Sequence, residues 1–390
     1  MVPGRVAANP SVYIHIPFCA KKCAYCAFYS AKGNREQMDR FVAALCAELQ
    51  RAPDRGAPPT IFFGGGTPSL LTVAHWEQVL DALDARGWFG GGPEVTIECN
   101  PATVSREKAQ LWVERGVNRV SMGVQSMDTA LLDKLGRIHS RESVFKSYDL
   151  FREVGFTNVN LDLMFAIPGQ TMEIWDQTLN EILALEPEHL ASYEVIYEED
   201  TDLYHQLTAG EFSVDEALAE AQFFRLLERL DGAGYRQYEV ANFARSHQDD
   251  SDEAPGLACR HNVNYWEGGE YQAFGPSASG HLDGRRFQNL SHTDGYIELM
   301  EAGQEPVEYL DPLSPRGRAG EIAAFGLRMN RGWTFERFTR RTGFRLETDW
   351  ADTLETLTRR GWGEASATGF RLTSEGLRFA DAAGAEFLEV

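Results

Sequence analysis

Three of the six cysteines fall in one short loop. In SVYIHIPFCAKKCAYCAFYS, Ser11 to Ser30, the residues Cys19, Cys23 and Cys26 are spaced C-x3-C-x2-C directly after a short apolar run. Cysteines clustered in this way mark metal binding. A structural zinc site wants four ligands, usually as two separated pairs, and a ferredoxin run is spaced C-x2-C-x2-C with a remote fourth cysteine, so neither matches. Three thiolates without a fourth leave one iron of a 4Fe–4S cubane open to a further ligand. The plainer alternatives are three small hydrophobic side chains or part of a zinc site.

An open iron can hold S-adenosylmethionine (SAM). The spacing resembles that of the radical SAM superfamily, in which the methionyl amine and carboxylate chelate that iron. An electron from the cluster then splits the sulfonium to give a 5′-deoxyadenosyl radical. Downstream residues suit such a ligand. Gly64-Gly65-Gly66-Thr67-Pro68 follows an apolar run and reads either as a tight turn needing positive φ or as backbone that approaches the polar end of a ligand. Glu98 and Asp162 are either solvated carboxylates or helix caps, or else acceptors for a sulfonium, an ammonium and a ribose diol.

The elements that must position these residues are legible in order. VYIHI, TIFFGGG, EVTIECN, RVSMGVQS, NVNLDLMF and HLASYEVIYE are apolar runs, each followed by a helical pattern. Helices are expected over Asn34 to Gln50, Val73 to Leu83, Ser105 to Arg115 with Ser105 as N-cap, Met172 to Leu185 and Ala217 to Leu230. Strands of the continuous apolar kind alternating with helices predict parallel βα units covered on both faces. The fold class is therefore α/β, a partial (β/α)6 barrel with its site at the C-terminal strand ends. The cysteines follow strand one, the glycines strand two, Glu98 and Asn100 strand three and Gln125 strand four; Asp162 lies in strand five and Tyr193 and Glu194 in strand six.

Three units are expected: a barrel over residues 1–235, a connecting segment over 236–313 and a C-terminal helical unit over 314–390. The pattern changes at Tyr235 to YRQYEVANFAR, then to HQDDSDEAPG, His247 to Gly256, which reads as a mobile solvated loop, and continues to CRHNVNYW. The last unit, helices followed by a small hairpin and a helix, looks winged-helix-like. A DNA-reading role is disfavoured, because the chain of 390 residues carries a net charge of −21 and only Arg337, Arg340, Arg341 and Arg345 cluster. The N-terminal residues lack the apolar core of a secretory signal and no run suffices to span a bilayer. A cytoplasmic, unanchored protein is expected, peripheral at a membrane at most.

Taken together, YIHIPFC-x3-C-x2-C, FFGGGTPS, the IE of TIECNP, SMGVQS with an arginine twelve residues past its glutamine, and LDLMFAIPGQ are similar, in order, to the coproporphyrinogen III oxidase-like (HemN/HemW) branch of radical SAM proteins. The resemblance implies a 4Fe–4S cluster on Cys19, Cys23 and Cys26. It implies SAM held by Tyr13, Gly65, Gly66, Thr67, Glu98, Gln125, Arg137 and Asp162. Within the branch, the oxygen-independent oxidase has a further cysteine where this chain has Phe28, and a longer extension before its cysteines. The H-N-x-x-Y-W of CRHNVNYW marks the heme chaperone. Ala27 departs from the CDF usual in that loop, without touching an iron ligand.

The chaperone resemblance implies heme as cargo, heme-receiving respiratory or membrane apoproteins and an electron donor as partners, and leaves room for a homodimer. The oxidase alternative implies oxidative decarboxylation of porphyrinogen propionates to vinyl groups. Candidate heme contacts are His261, as an axial ligand, with Asn262, Tyr265, Trp266 and Cys259. The plainer reading makes His261 and Asn262 a buried hydrogen-bond network and the aromatics core. The heme carboxylates need a local cation, and the sequence does not show which one supplies it.

Overall fold

The computed structural model describes residues 9–247, 250, 254–311 and 313–388. Half of the acidic loop expected over residues 247–256, positions 248, 249 and 251–253, therefore lies outside the described residues.

Six parallel strands form the centre, as the apolar runs predict: β1 (Ser11–Ile16), β2 (Thr60–Gly65), β3 (Glu94–Cys99), β4 (Arg119–Gln125), β5 (Val159–Phe165) and β6 (His189–Glu194). Each pairs with the next in register, from Val12 opposite Ile61 to Asp162 opposite Ala191. Helices α1 (Arg35–Arg51), α2 (Val73–Ala85), α3 (Arg106–Glu114), α4 (Thr129–Lys134), α5 (Arg141–Val154), α6 (Met172–Ala184), α7 (Asp202–Thr208) and α8 (Glu216–Gly232) lie in the connections. Their starts are capped as the sequence suggests: the Asn34 side chain accepts from the Gln37 amide and the Ser105 hydroxyl from the Lys108 amide. Outward strand residues such as Phe63 and helix residues such as Trp76 and Trp112 are buried together, with ring centroids 5.0 and 5.5 Å apart.

Residues 236–313 do more than connect. β7 (Tyr235–Glu239) and β8 (Asn242–Arg245) add antiparallel strands beyond β6. After α9 (Arg260–Trp266), β9 (Tyr271–Phe274) returns to the other edge and pairs parallel to β1. β10 (Ser279–Leu282), β11 (Arg285–Asn289) and β12 (Val307–Asp311) continue antiparallel, with α10 (Thr293–Glu301) between the last two. The result is one open sheet of twelve strands whose edges are β12 and β7.

The C-terminal unit has α11 (Pro315–Gly326), β13 (Trp333–Thr334), α12 (Phe335–Thr342), α13 (Leu346–Asp349), α14 (Ala351–Arg359), β14 (Gly363–Ala365), β15 (Gly369–Leu372), α15 (Ser374–Arg378) and α16 (Ala380–Ala385). It encloses its own core around Trp333, Phe338 and Trp350. The four clustered arginines are engaged within the chain: Arg340 with Glu336, Arg345 with Glu347, and Arg337 and Arg341 with Glu267.

Candidate functional site at the C-terminal ends of the strands

Parallel strands bring their C-terminal ends together at one face, and a cavity of about 620 Å³ opens there. Cys19, Cys23 and Cys26 line it, half-buried and without disulfides. Their loop is pinned at its root, where the Cys19 amide donates to the Ala31 carbonyl and the Ala31 amide to that of Pro17 (3.0 and 2.8 Å). It is pinned midway by the Ala24 amide on the Leu135 carbonyl at 3.0 Å. Among the described residues no three His, Cys, Asp or Glu side chains converge as they would on a single metal ion. A cubane makes no such demand, since each cysteine takes a different iron, so the donor set fits a three-cysteine cluster.

The glycine turn takes the positive φ of the first reading and packs its backbone against β1 and the residues that lead to the cysteines. Gly65 has φ +102°, and a Cβ there would sit 2.4 Å from the His15 ring. Gly66 presses its backbone on the strand before the cysteines: its amide donates to the Ile16 carbonyl at 2.8 Å, and a Cβ would meet the Phe18 carbonyl oxygen at 2.7 Å. Thr67 completes the contact, with its hydroxyl 3.5 Å from the Cys19 sulfur. Beneath, His15 sits between the Tyr13 hydroxyl and the Tyr29 carbonyl, 3.1 Å from each. Burial lowers its pKa to about 4, so it is neutral.

At the end of β4 the register shifts between Gly123 and Gln125, and Gln125 takes φ +68°. Left-handed backbone at a non-glycine residue costs energy and is found at ligand sites. Arg137 reaches back to the same strand end, and its Nε is buried with no hydrogen-bond partner. An unpaired donor beside the cysteines fits a carboxylate-bearing ligand. Glu98 and Asp162 face the same space. Burial, and then the Asp162 charge, raise Glu98 to about 8, against the pull of the Gly65 amide and Arg119. Burial raises Asp162 to about 6, against hydrogen bonds from Asn160 and Ser121 and the charge of Arg119. Two carboxyls held short of full ionisation suit a cationic ligand, whose arrival stabilises both anions. Every SAM candidate named from sequence lines this cavity.

Asn160, Ser121 and His189 were not singled out from sequence. The Asn160 amide donates to Asp162 Oδ1 at 2.6 Å and to Ser121 Oγ at 2.7 Å. Its own oxygen accepts from His189 Nδ1 at 2.6 Å, and His189 Nε2 accepts from the Tyr238 hydroxyl at 2.8 Å. The available signal was the period-two spacing of Asn160 and Asp162 within an apolar run, which puts both on the inward face.

The H-N-x-x-Y-W helix, α9, closes the opposite end of the barrel. Glu94, at the start of β3, accepts from the amides of Arg260 and His261 at 3.2 and 3.1 Å. His261, Asn262 and Tyr265 form part of the cavity lining, but Trp266 and Cys259 do not. Trp266 lies against Phe325 and Arg328 of the C-terminal unit. Cys259 is fully buried with its thiol toward Glu94. These two residues expected at heme lie outside the cavity, because Cys259, the N-cap of α9, packs on Glu94 and Trp266 on the C-terminal unit.

His261 itself is 1% exposed, and both ring nitrogens are committed. Thr60 Oγ1 donates to Ser11, so it accepts from His261 Nδ1 at 2.7 Å; Nε2 then accepts from the Tyr265 hydroxyl at 2.8 Å. Burial, aided by the Arg119 charge, lowers its pKa to about 3. The buried hydrogen-bond network, not an open axial ligand, describes this histidine in the structure.

This fold and site define a radical SAM protein: residues 13–182 match the radical SAM superfamily and residues 313–379 the HemN C-terminal domain. Such a protein carries a 4Fe–4S cluster and SAM. The chain belongs to the HemW family. It is 32% identical over 371 residues to the heme chaperone HemW of Bacillus subtilis, covering 94% of this chain and 96% of that protein. It is 36% identical over 316 residues to HemW of Escherichia coli, covering 77% and 80%. It is also 32% identical over 351 residues to the mitochondrial radical S-adenosyl methionine domain-containing protein 1 of Danio rerio, covering 85% and 76%. Among solved structures, coproporphyrinogen III oxidase (HemN) of Escherichia coli matches with a TM-score of 0.82 over 97% of this chain and 90% of its own, at 22% identity, a likeness of fold. No helix among the described residues is long and apolar enough to cross a membrane.

Proposed function

We infer that this protein is a heme chaperone, which binds heme and passes it to respiratory or membrane apoproteins while carrying a 4Fe–4S cluster and SAM. The observation that carries this reading is 32% identity to the heme chaperone HemW of Bacillus subtilis over nearly the full length of both chains. Phe28 agrees with it, since an exposed phenyl ring stands at the cavity where the oxidase pattern has a further cysteine.

The geometry supports the following roles. Cys19, Cys23 and Cys26 hold the cluster. Gly65, Gly66, Thr67, Arg137 and Gln125 surround the methionyl part of SAM, and Tyr13, Glu98 and Asp162 its remaining polar groups. Bound SAM and cluster supply radical chemistry when an external donor delivers an electron. The barrel is proposed to end near residue 235, with 314–390 as a separate unit.

The test is anaerobic incubation of the cluster-loaded protein with SAM, reductant and coproporphyrinogen III, alongside transfer of bound heme to an apo-hemoprotein. Heme transfer without decarboxylation supports the chaperone. Loss of carbon dioxide that depends on Cys23 would make the protein an oxidase, a reading favoured by the completeness of the SAM site.

A further inference from the structure

The exposed large apolar side chains are not scattered evenly. Phe28, Ile138, Tyr193 and Ile196, 71%, 45%, 42% and 63% exposed, all line the cavity that holds the cysteines. They come from three places in the chain: the cysteine loop, the turn after α4, and the end of β6 with the segment beyond it. Water-exposed apolar groups gathered around one opening mark a surface meant to be covered.

The charges around that opening are divided. Lys21 and Lys22 lie exposed in the cysteine loop, and neither forms an ion pair among the described residues. Glu194 and Glu198 belong to the β6 side, at the other end of the six-strand arc. A ligand fitting both features is a flat apolar molecule with carboxylates on one edge.

We propose that heme docks at this mouth, its macrocycle on Phe28, Ile138 and Ile196 and its propionates toward Lys21 and Lys22, and not at His261 on the barrel floor. This rests on the heme-chaperone reading and adds to it the place and orientation of the cargo. The floor argues for the same conclusion from the other side. Iron on His261 Nε2 would displace the Tyr265 hydroxyl and would need the macrocycle inside a barrel end that α9 closes. The mouth demands no such rearrangement. The two lysines also supply the cation missing from the sequence reading, and the two glutamates disfavour the reversed orientation.

The experiment is a Soret titration of the full chain with heme and with heme dimethyl ester. Ile138→Glu and Ile196→Glu place charge where the macrocycle would lie, and each is expected to weaken heme binding about tenfold or more. Lys21→Glu with Lys22→Glu is expected to abolish the preference of the unaltered chain for heme over its ester. All four positions are exposed, and thermal melting reports whether each variant folds. Mouth variants that bind heme as tightly as the unaltered chain, or an ester preference that survives loss of both lysines, would overturn the docking site while leaving the chaperone reading intact. No heme binding by the unaltered chain overturns both.

Discussion

Arg137 ties the cysteine loop to the end of β4: its Nη1 donates to the Cys23 sulfur at 3.4 Å, and its Nη2 to the Gly123 carbonyl at 2.5 Å. A planar fork can make both contacts at once, and a lysine ammonium cannot reproduce that geometry. Arg137→Gln is expected to weaken SAM binding about 10- to 100-fold, the effect of losing charge-assisted hydrogen bonds. Arg137→Lys should fall between. Titration of the reduced cluster with SAM, followed by electron paramagnetic resonance, checks this; unchanged affinity in the lysine variant would remove the need for the fork.

Gly65 and Gly66 fail differently on substitution. In Gly65→Ala the new methyl group meets the His15 ring and the backbone keeps φ +102°. In Gly66→Ala it meets carbonyl oxygens of Ile16 and Phe18 at 2.8 and 2.7 Å. Each change should cost about 1–3 kcal/mol in denaturant unfolding. Adding His15→Ala should recover part of the Gly65 loss and none of the Gly66 loss, because only the first clash is with a side chain.

The central strands were legible because parallel strands covered on both faces read as unbroken apolar runs, and the polar residues ending them stood out against that background. The flanking strands were not. β8, β9 and β10 are four residues long, too short for a period to show, and β9 reaches β1 from 260 positions away, since Ser11 pairs with Tyr271. The place of α9 was hidden for the same reason. Its anchors Thr60, Glu94 and Tyr238 are distant in sequence, so CRHNVNYW gave the residue types of a heme site but not the direction each faces. Lys21 and Lys22 drew no notice beside the cysteines, because exposed lysines are ordinary until an apolar rim appears next to them.

SAM binding should strengthen with pH. Glu98 and Asp162 sit at about 8 and about 6 in the folded protein, above their ordinary 4.5 and 3.8, mainly through burial. The folded chain therefore keeps protons that the unfolded chain has lost. Their effect on the empty protein is greatest stability at low pH, declining as pH rises through the folded values. The sulfonium cation favours the carboxylates, so binding expels protons and affinity should rise from about pH 6 to about pH 9. Calorimetry in buffers of different ionisation enthalpy would measure the protons released, and Glu98→Gln should flatten the profile.

The buried chain from Asp162 through Asn160 and His189 to Tyr238 continues to α9, because the Tyr238 hydroxyl accepts from the Cys259 amide at 3.1 Å. Removing its middle member leaves the Asn160 oxygen without a donor and the Tyr238 O–H without an acceptor. His189→Ala should therefore lose about 2–5 kcal/mol, counting both orphaned groups and the cavity. Tyr265→Phe, which takes only the donor to His261 Nε2, should lose about 1–2 kcal/mol. The two variants also separate the roles of the floor. Loss of the His189 contact removes the restraint on Asn160 and so on Asp162, and should weaken SAM binding in protein that remains folded. Loss of the Tyr265 hydroxyl frees His261 Nε2 without disturbing Asp162. If the floor histidine were the heme ligand, Tyr265→Phe would tighten heme; docking at the mouth predicts an unchanged heme titration for this variant.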